Sequence, residues 1–442
     1  MAGASDKARF YLEQYVPELQ EFQRKGIFDK EEISSITAKR SDFEHVLNAR
    51  GSKPSDYARY ATYQMNLDSL CKKRCKRLGV KSTGFSGQRT IFFILDRGTK
   101  KFPGDVGLWM QYINYCQRVK ANKKLARVFT DVLRLKPREW SLWVLAAKHY
   151  AENQSDMGTA RSYLQRGLRF CKDEKKLWLQ YIKLEMIYLA KLAARRKILG
   201  LEGHAKESST NRIDEDGDML MLPTITAEDI SPDASKGVEG VDAEALQKLA
   251  SAPAFTGALP KAIFDAAMKQ FNNDAELADD IFDLCASFDT VPSTKSILQH
   301  IIEHLETTSQ DSAESVICRA RLELFSIHPL SEEFPAALRT SLAHVRGIQN
   351  SKSDKVRRAL AEKATLMMLP FFEFRKDMDK DVLTVLEASL RRYLKQLAQA
   401  ESSRADGPSQ NSIVGLLVRL EKDGRDGDVK LLQEYGNAVE VG

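Results

Sequence analysis

The string with the most enzyme-like spacing is His300-Ile301-Ile302-Glu303-His304. Two histidines one helical turn apart can hold zinc while the glutamate serves as general base, the His-x-x-Glu-His order of one class of zinc peptidase. Ile301, Ile302 and Leu305 belong to an amphipathic stripe, so a solvated helix face explains the same residues without a metal. A third ligand and a pocket would also be needed. A zinc hydrolase using His300, Glu303 and His304 is therefore carried only as the alternative from another class. Cys71 and Cys75 are likewise one turn apart, but no second Cys or His pair completes a four-ligand set. No Gly-rich loop ends in Gly-Lys-Ser/Thr, so nucleotide hydrolysis has no support. No enzyme activity, cofactor or small-molecule substrate is expected.

The charged clusters carry more. Lys72, Lys73, Arg74, Lys76 and Arg77 put five positive charges into six positions, and Lys123-Lys124 and Arg195-Arg196 repeat the theme at or near predicted helix ends. The net charge of +6 conceals a polar molecule: residues 1–202 hold 40 Lys and Arg against 21 Asp and Glu, leaving 27 against 40 for the remainder. A basic half suits a polyanion, so these nine residues are the candidates for contact with an RNA backbone, salt-dependent and not base-specific. Residues 207–244 are the opposite, with eleven acidic side chains and two basic ones. So little apolar surface cannot offset ordering entropy, and disorder is expected. The apolar island inside that segment, Met219, Leu220, Met221, Leu222 and Ile225, is a candidate partner-binding peptide.

These clusters must be positioned by a repeat. Trp109, Trp143 and Trp178 fall 34 and 35 residues apart, Pro103 and Pro137 each precede a tryptophan by six, and Ala126-Arg127-Val128-Phe129 returns 34 residues later as Ala160-Arg161-Ser162-Tyr163. A period of this length marks stacked helical hairpins. Strand signals are almost absent, so the expected fold is all-α: a right-handed superhelical solenoid of antiparallel helix pairs. Tyr57, Tyr60, Trp109, Tyr112, Phe129, Trp143, Tyr163, Trp178 and Tyr181 are the expected repeat core, since Trp and Tyr three apart share a helix face. The hairpin opening at Trp178 meets no turn, and Lys261-Ala262-Ile263-Phe264 reads as its second helix, so the acidic segment is an insertion within one hairpin. The expected division is an N-terminal helical region over 1–88, repeats over 89–202, the insertion over 203–257, helical repeats over 258–400 and short terminal helices over 401–442. No apolar run could span a bilayer, residues 1–22 lack a secretory-signal pattern, and six scattered cysteines suit a reducing compartment.

Trp178-Leu-Gln-Tyr181-Ile-Lys-Leu-Glu185 together with Ala-Arg-x-aromatic resembles the half-a-tetratricopeptide (HAT) repeat. Cys116 and Tyr150 stand where its glutamate would be, and Ala146 replaces one aromatic. The N-terminus sharpens the likeness. Phe10-Tyr11-x-Glu13-x-x-x-Pro17-Glu18-Leu19, Lys25-Gly26-Ile27-Phe28 and Lys39-Arg40-Ser41-Asp42-Phe43-Glu44-His45-x-Leu47-x-x-Arg50 resemble the U3 small nucleolar RNA-associated protein 6 family. That resemblance implies a scaffold subunit of the UTP-B part of the small-subunit processome, in the nucleus and nucleolus. It further implies tandem WD-repeat partners and a role in pre-rRNA processing and 18S rRNA maturation through snoRNA and pre-rRNA contacts. A HAT scaffold of splicing or mRNA 3′-end processing is the alternative within the same fold.

Overall fold

The computed structural model describes residues 4–80, 87–198, 257–309, 312–349, 354–401, 413–422 and 424–440. The expected acidic insertion and its apolar island lie outside these residues. Among the described residues every regular element is helical. The chain divides into two compact units, residues 1–146 and 147–442.

In the first unit, α1 (Ala4–Glu13) and α2 (Val16–Arg24) are separate helices. The apolar pattern runs through both, but Pro17 sits in the first turn of α2, where its missing N–H costs nothing. Asp29 caps α3 (Lys30–Asn48) in a capping box closed by Glu32, whose carboxylate accepts from the Asp29 N–H at 3.0 Å. α4 (Pro54–Leu78) opens with Pro54 and ends on Gly79 at φ +64°, the left-handed cap that glycine adopts freely. α5 (Gly87–Lys101), α6 (Val106–Val119) and α7 (Asn122–Leu135) follow. α4 packs on α5 and α6, and α6 on α7. The approach of α5 to its neighbours requires Gly98: a Cβ there would stand 2.8 Å from Leu108 Cδ2 and 3.0 Å from Tyr57 Cδ1.

The repeat beat is visible in hydrogen bonds. Trp109 Nε1 donates to the Pro103 carbonyl at 3.0 Å and Trp143 Nε1 to that of Pro137 at 2.9 Å. Each tryptophan satisfies a carbonyl of the turn that leads into its own helix, and proline cannot continue the preceding one. In the second unit Trp178 repeats the bond to Lys172 at 3.3 Å. α8 (Trp140–Asn153) spans the division between the units, and α9 (Met157–Phe170) and α10 (Lys175–Ile198) follow. α10 then packs on α11 (Ala258–Gln270) and α12 (Ala275–Ala286). The ring of Trp178 meets Phe271 edge-on at 6.5 Å, and Lys175 is ion-paired with Asp274. The helix begun at Lys175 thus pairs with the helix that opens at Ala258.

Further consecutive helices pack in the second unit: α13 (Thr294–Thr308), α14 (Ala313–Leu324), α15 (Phe334–Gln349), α16 (Asp354–Met368) and α17 (Lys380–Glu401), then α18 (Ile413–Lys422) and α19 (Asp426–Glu440). Helix after helix packing on its neighbours is the architecture of a helical-repeat solenoid. Phe129, Phe264, Phe282, Phe334 and Tyr393 are among the largest fully buried side chains.

Candidate nucleic-acid interface

The basic run of α4 sits on a helix whose opposite face is core. Cys71 and Cys75 face inward with Leu67, joining Phe22, Ile27, Phe28 and Ile36 in one apolar cluster. Burial, then the neighbouring Cys75, pushes the Cys71 thiol up to about 12. Both cysteines therefore act here as small apolar side chains. At about 100° per residue, Lys72, Lys76, Lys73 and Arg77 fall in that angular order on the outward arc, and all four are exposed. Lys72 is held by Asp68 at 2.5 Å.

Arg74 departs from its expected role. It lies at the flank of the arc and turns inward: Nη1 donates to the Ile27 carbonyl at 3.0 Å, and Nη1 and Nη2 grip Glu32 at 2.6 and 2.7 Å. Its guanidinium also covers the Phe28 ring at 4.7 Å. Sequence alone could not separate it from its four neighbours, because the choice was made by a carboxylate 42 residues away. Those hydrogen bonds from Arg74, with the Asp29 N–H, hold the Glu32 carboxyl down at about 2.

The other basic candidates divide similarly. Lys123 is exposed at the start of α7. Lys124 is engaged, donating at 2.7 Å to Asp96, which also accepts from Tyr112 Oη at 2.6 Å. Arg195 and Arg196 are half-buried near the end of α10. The arrangement offers Lys73, Lys76, Arg77 and Lys123 most freely to a partner. Phosphate contacts by such side chains position a nucleic acid without reading its sequence.

Of the aromatic positions, Tyr57, Tyr60, Trp109, Tyr112, Phe129, Trp143 and Tyr181 are buried. Tyr163 and Trp178 are only half-buried, against the expectation of core. Tyr163 lies flat on Tyr150 at 5.2 Å, so one face is spent on a tyrosine standing in the motif's glutamate position. Trp178 has as its neighbour Phe271, on the turn after α11, reached edge-on rather than enclosed.

Motif reading treated Arg161 and Glu185 as separate repeat residues and missed what they do. Arg161 Nε and Nη2 grip Glu185 at 2.7 and 2.8 Å, with Glu185 almost fully buried. The arginine of one hairpin thereby neutralises the glutamate of the next helix. A like pair joins Arg97 to Glu44, at 3.1 and 2.9 Å. There burial raises the Glu44 carboxyl above its ordinary value, against the lowering influence of Arg97.

The histidine string is absorbed by packing. His300 Nε2 meets Asp265 at 2.7 Å, and both His300 and His304 stand edge-on to Phe264, at 5.9 and 5.3 Å. Burial lowers the pKa of His304. Among the described residues no group of three or more His, Cys, Asp or Glu is placed to hold a metal ion. No described helix is long and apolar enough to cross a membrane.

Residues 12–92, which include the outward arc of α4, match the family model described as U3 small nucleolar RNA-associated protein 6. A Schizosaccharomyces pombe protein of that name is 34% identical over 251 residues, 54% of this chain and 51% of the relative. The human homolog is 29% identical over 190 residues, 42% of this chain and 32% of the relative. The Dictyostelium discoideum homolog is 31% identical over 189 residues, 42% and 31%. The chain thus spans about half the length of the first of these relatives and about a third of the other two. A solved structure of an IFIT1 monomeric mutant with m7Gppp-AAAA matches at 11% identity and a TM-score of 0.23, over 92% of this chain and 86% of that one. A likeness that low carries no argument. With the residues of α1–α5, the family model and the named relatives in agreement, this chain is a helical-repeat protein that resembles the U3 small nucleolar RNA-associated protein 6 family.

Proposed function

We propose that this protein is a non-catalytic, snoRNA-associated subunit in ribosome biogenesis. It acts as a scaffold of the nucleolar small-subunit processome in pre-rRNA processing and 18S rRNA maturation. The observation that carries the reading is the family match over residues 12–92. It is supported by the basic arc that the same residues present to solvent. The helical pairs hold protein partners, among them other UTP-B subunits with tandem WD repeats, while Lys73, Lys76, Arg77 and Lys123 touch the RNA backbone. Lys72 contributes once released from Asp68. Arg74, Lys124, Arg195 and Arg196 contribute less, being engaged or half-buried.

Neutralising a lysine or arginine that touches phosphate weakens binding to all sequences and flattens its salt dependence. The triple variant Lys73→Gln, Lys76→Gln, Arg77→Gln is expected to reduce the log–log salt slope of snoRNA binding by about 2, at ~0.7 per single-strand contact. An unchanged slope removes this face from the interface. Affinity purification with mass spectrometry tests the scaffold role. Recovery of tandem WD-repeat proteins supports it, whereas splicing or polyadenylation factors in their place would move the scaffold to another machine. A tagged chain should concentrate in the nucleolus, and exclusion from it sinks the assignment.

A further inference from the structure

The second unit contains a groove of about 550 Å³ walled by α12, α14, the end of α16, the 3₁₀ turn Leu369–Phe374 and α18. That volume falls in the range of ligand and peptide sites. Phe282 and Leu324 form a buried floor, and Phe325 and Phe371 stand half-buried beside them. Three arginines, Arg321, Arg419 and Arg425, line it against one carboxylate, Asp283. Arg321 is consumed by Asp279 and Asp283. Arg419 holds Glu362 at 2.8 Å and Arg425 holds Asp428 at 2.6 Å, yet their side chains remain 51% and 37% exposed. A guanidinium carries five donors, so one carboxylate leaves it able to take another. The groove therefore fits a short peptide with bulky aliphatic anchors flanked by carboxylates.

We propose that its occupant is this chain's own segment 214–229, Asp-Glu-Asp-Gly-Asp-Met-Leu-Met-Leu-Pro-Thr-Ile-Thr-Ala-Glu-Asp, docked in cis. Six acidic side chains and no basic one flank the island Met219 to Ile225. That is the charge the arginines lack and the apolar content the phenylalanines cover. The segment leaves the described structure after Ile198 and returns at Gly257, both in the unit that holds the groove. The 21 residues from Ile198 to Met219 extend to about 70 Å at ~3.3 Å each, ample reach on one compact unit. Anchored at both ends, the segment meets the groove at an effective concentration of order millimolar, so a weak site suffices. Its return is fixed in place: Gly257 adopts φ +71° against the Ile297 side chain, which a Cβ would meet at 2.9 Å. This inference stands on the groove and the segment and does not depend on the RNA reading.

The test is competition. A fluorescent peptide of residues 214–229 is titrated into the full chain and into a full-length variant whose residues 207–244 are replaced by Gly and Ser at equal length. The peptide should bind the replaced chain with an affinity that falls as salt rises, and bind the unaltered chain at least about tenfold more weakly, because its groove is filled. Arg425→Glu in the replaced chain should weaken peptide binding about tenfold. Arg425 lies just ahead of α19, where a carboxylate suits the helix N-terminus, so folding should survive, as circular dichroism would verify. Equal binding to both chains overturns docking in cis and leaves the groove to segments of other proteins. No binding to the replaced chain, or an affinity indifferent to Arg425→Glu, overturns the groove as the site.

Discussion

Two copies of the Ala-Arg-x-aromatic element differ in a way that explains the repeat. Arg161 is pulled against the body of the second unit because Glu185 waits there, buried and gripped through two hydrogen bonds. Arg127 occupies the same place in the earlier copy, and it is exposed. The position that would hold the glutamate of that copy is Tyr150, which stacks on Tyr163 instead. The motif's arginine and glutamate are thus one device rather than two residues. With both present, they form a buried ion pair that ties consecutive helices. With the carboxylate lost, an aromatic contact takes over and the arginine faces water.

The largest expected effect tests this difference directly. Arg161→Met strands the Glu185 carboxylate, and removing one member of a buried pair costs about 3–5 kcal/mol. Arg127→Met should stay within about 0.5 kcal/mol, as exposed substitutions do. Chemical denaturation of both variants checks it, and equal losses break the comparison. The double variant Arg161→Met, Glu185→Leu should recover most of the stability, since an apolar pair of similar volume replaces a buried ion pair at little cost.

A second contrast lies between the tryptophans. Trp109→Ala removes a side chain that is 4% exposed and should cost about 3–4 kcal/mol. Trp178, less deeply buried on Phe271, should cost less than that, in proportion to the smaller area it hides. Thermal denaturation that ranked Trp178 above Trp109 would show that the split hairpin carries more of the fold than its burial indicates.

Acid titration separates two pairs of the first unit. The Glu32 carboxyl sits near 2 in the folded chain against an ordinary 4.5. Its pairing with Arg74 therefore stabilises fully above pH 4.5, and that contribution is lost as pH falls toward 2. Glu44 runs the other way: burial raises its carboxyl, so the folded state keeps a proton that the unfolded state has released. Stability from this site declines as pH rises from 4.5 through the folded value. Thermal midpoints of Glu32→Gln should fall less steeply below pH 4.5 than those of the parent, and identical acid limbs would remove Arg74 from its structural role.

The smallest expected effect belongs to the outward arc. Lys73→Gln, Lys76→Gln and Arg77→Gln together should move stability by no more than about 0.5 kcal/mol, while Arg74→Gln lowers it measurably by freeing Glu32 and the Ile27 carbonyl. A triple variant as unstable as Arg74→Gln would mean that the arc belongs to the fold and not to a partner.

Periodicity alone determined that the chain is helical, where the Trp109 and Trp143 hairpins turn, and that Lys261 resumes a hairpin opened at Lys175. These follow from local rules: apolar residues at helical spacing, Asp29 as a cap, proline six residues ahead of each of those two tryptophans. The charge asymmetry and the resemblance carried by residues 10–50 were equally plain. Only tertiary structure decided which charges are free. Arg74 and Arg77 are indistinguishable as letters, and Arg74 is withdrawn by Glu32, 42 positions earlier in the chain. Arg161 and Glu185 are 24 apart, His300 is claimed by Asp265, and the groove of Phe282 and Arg425 joins helices separated by more than a hundred residues. Helix propensity and capping act over a few residues, so a sequence displays them. Ion pairs and grooves are made by side chains that only folding brings within a few ångströms.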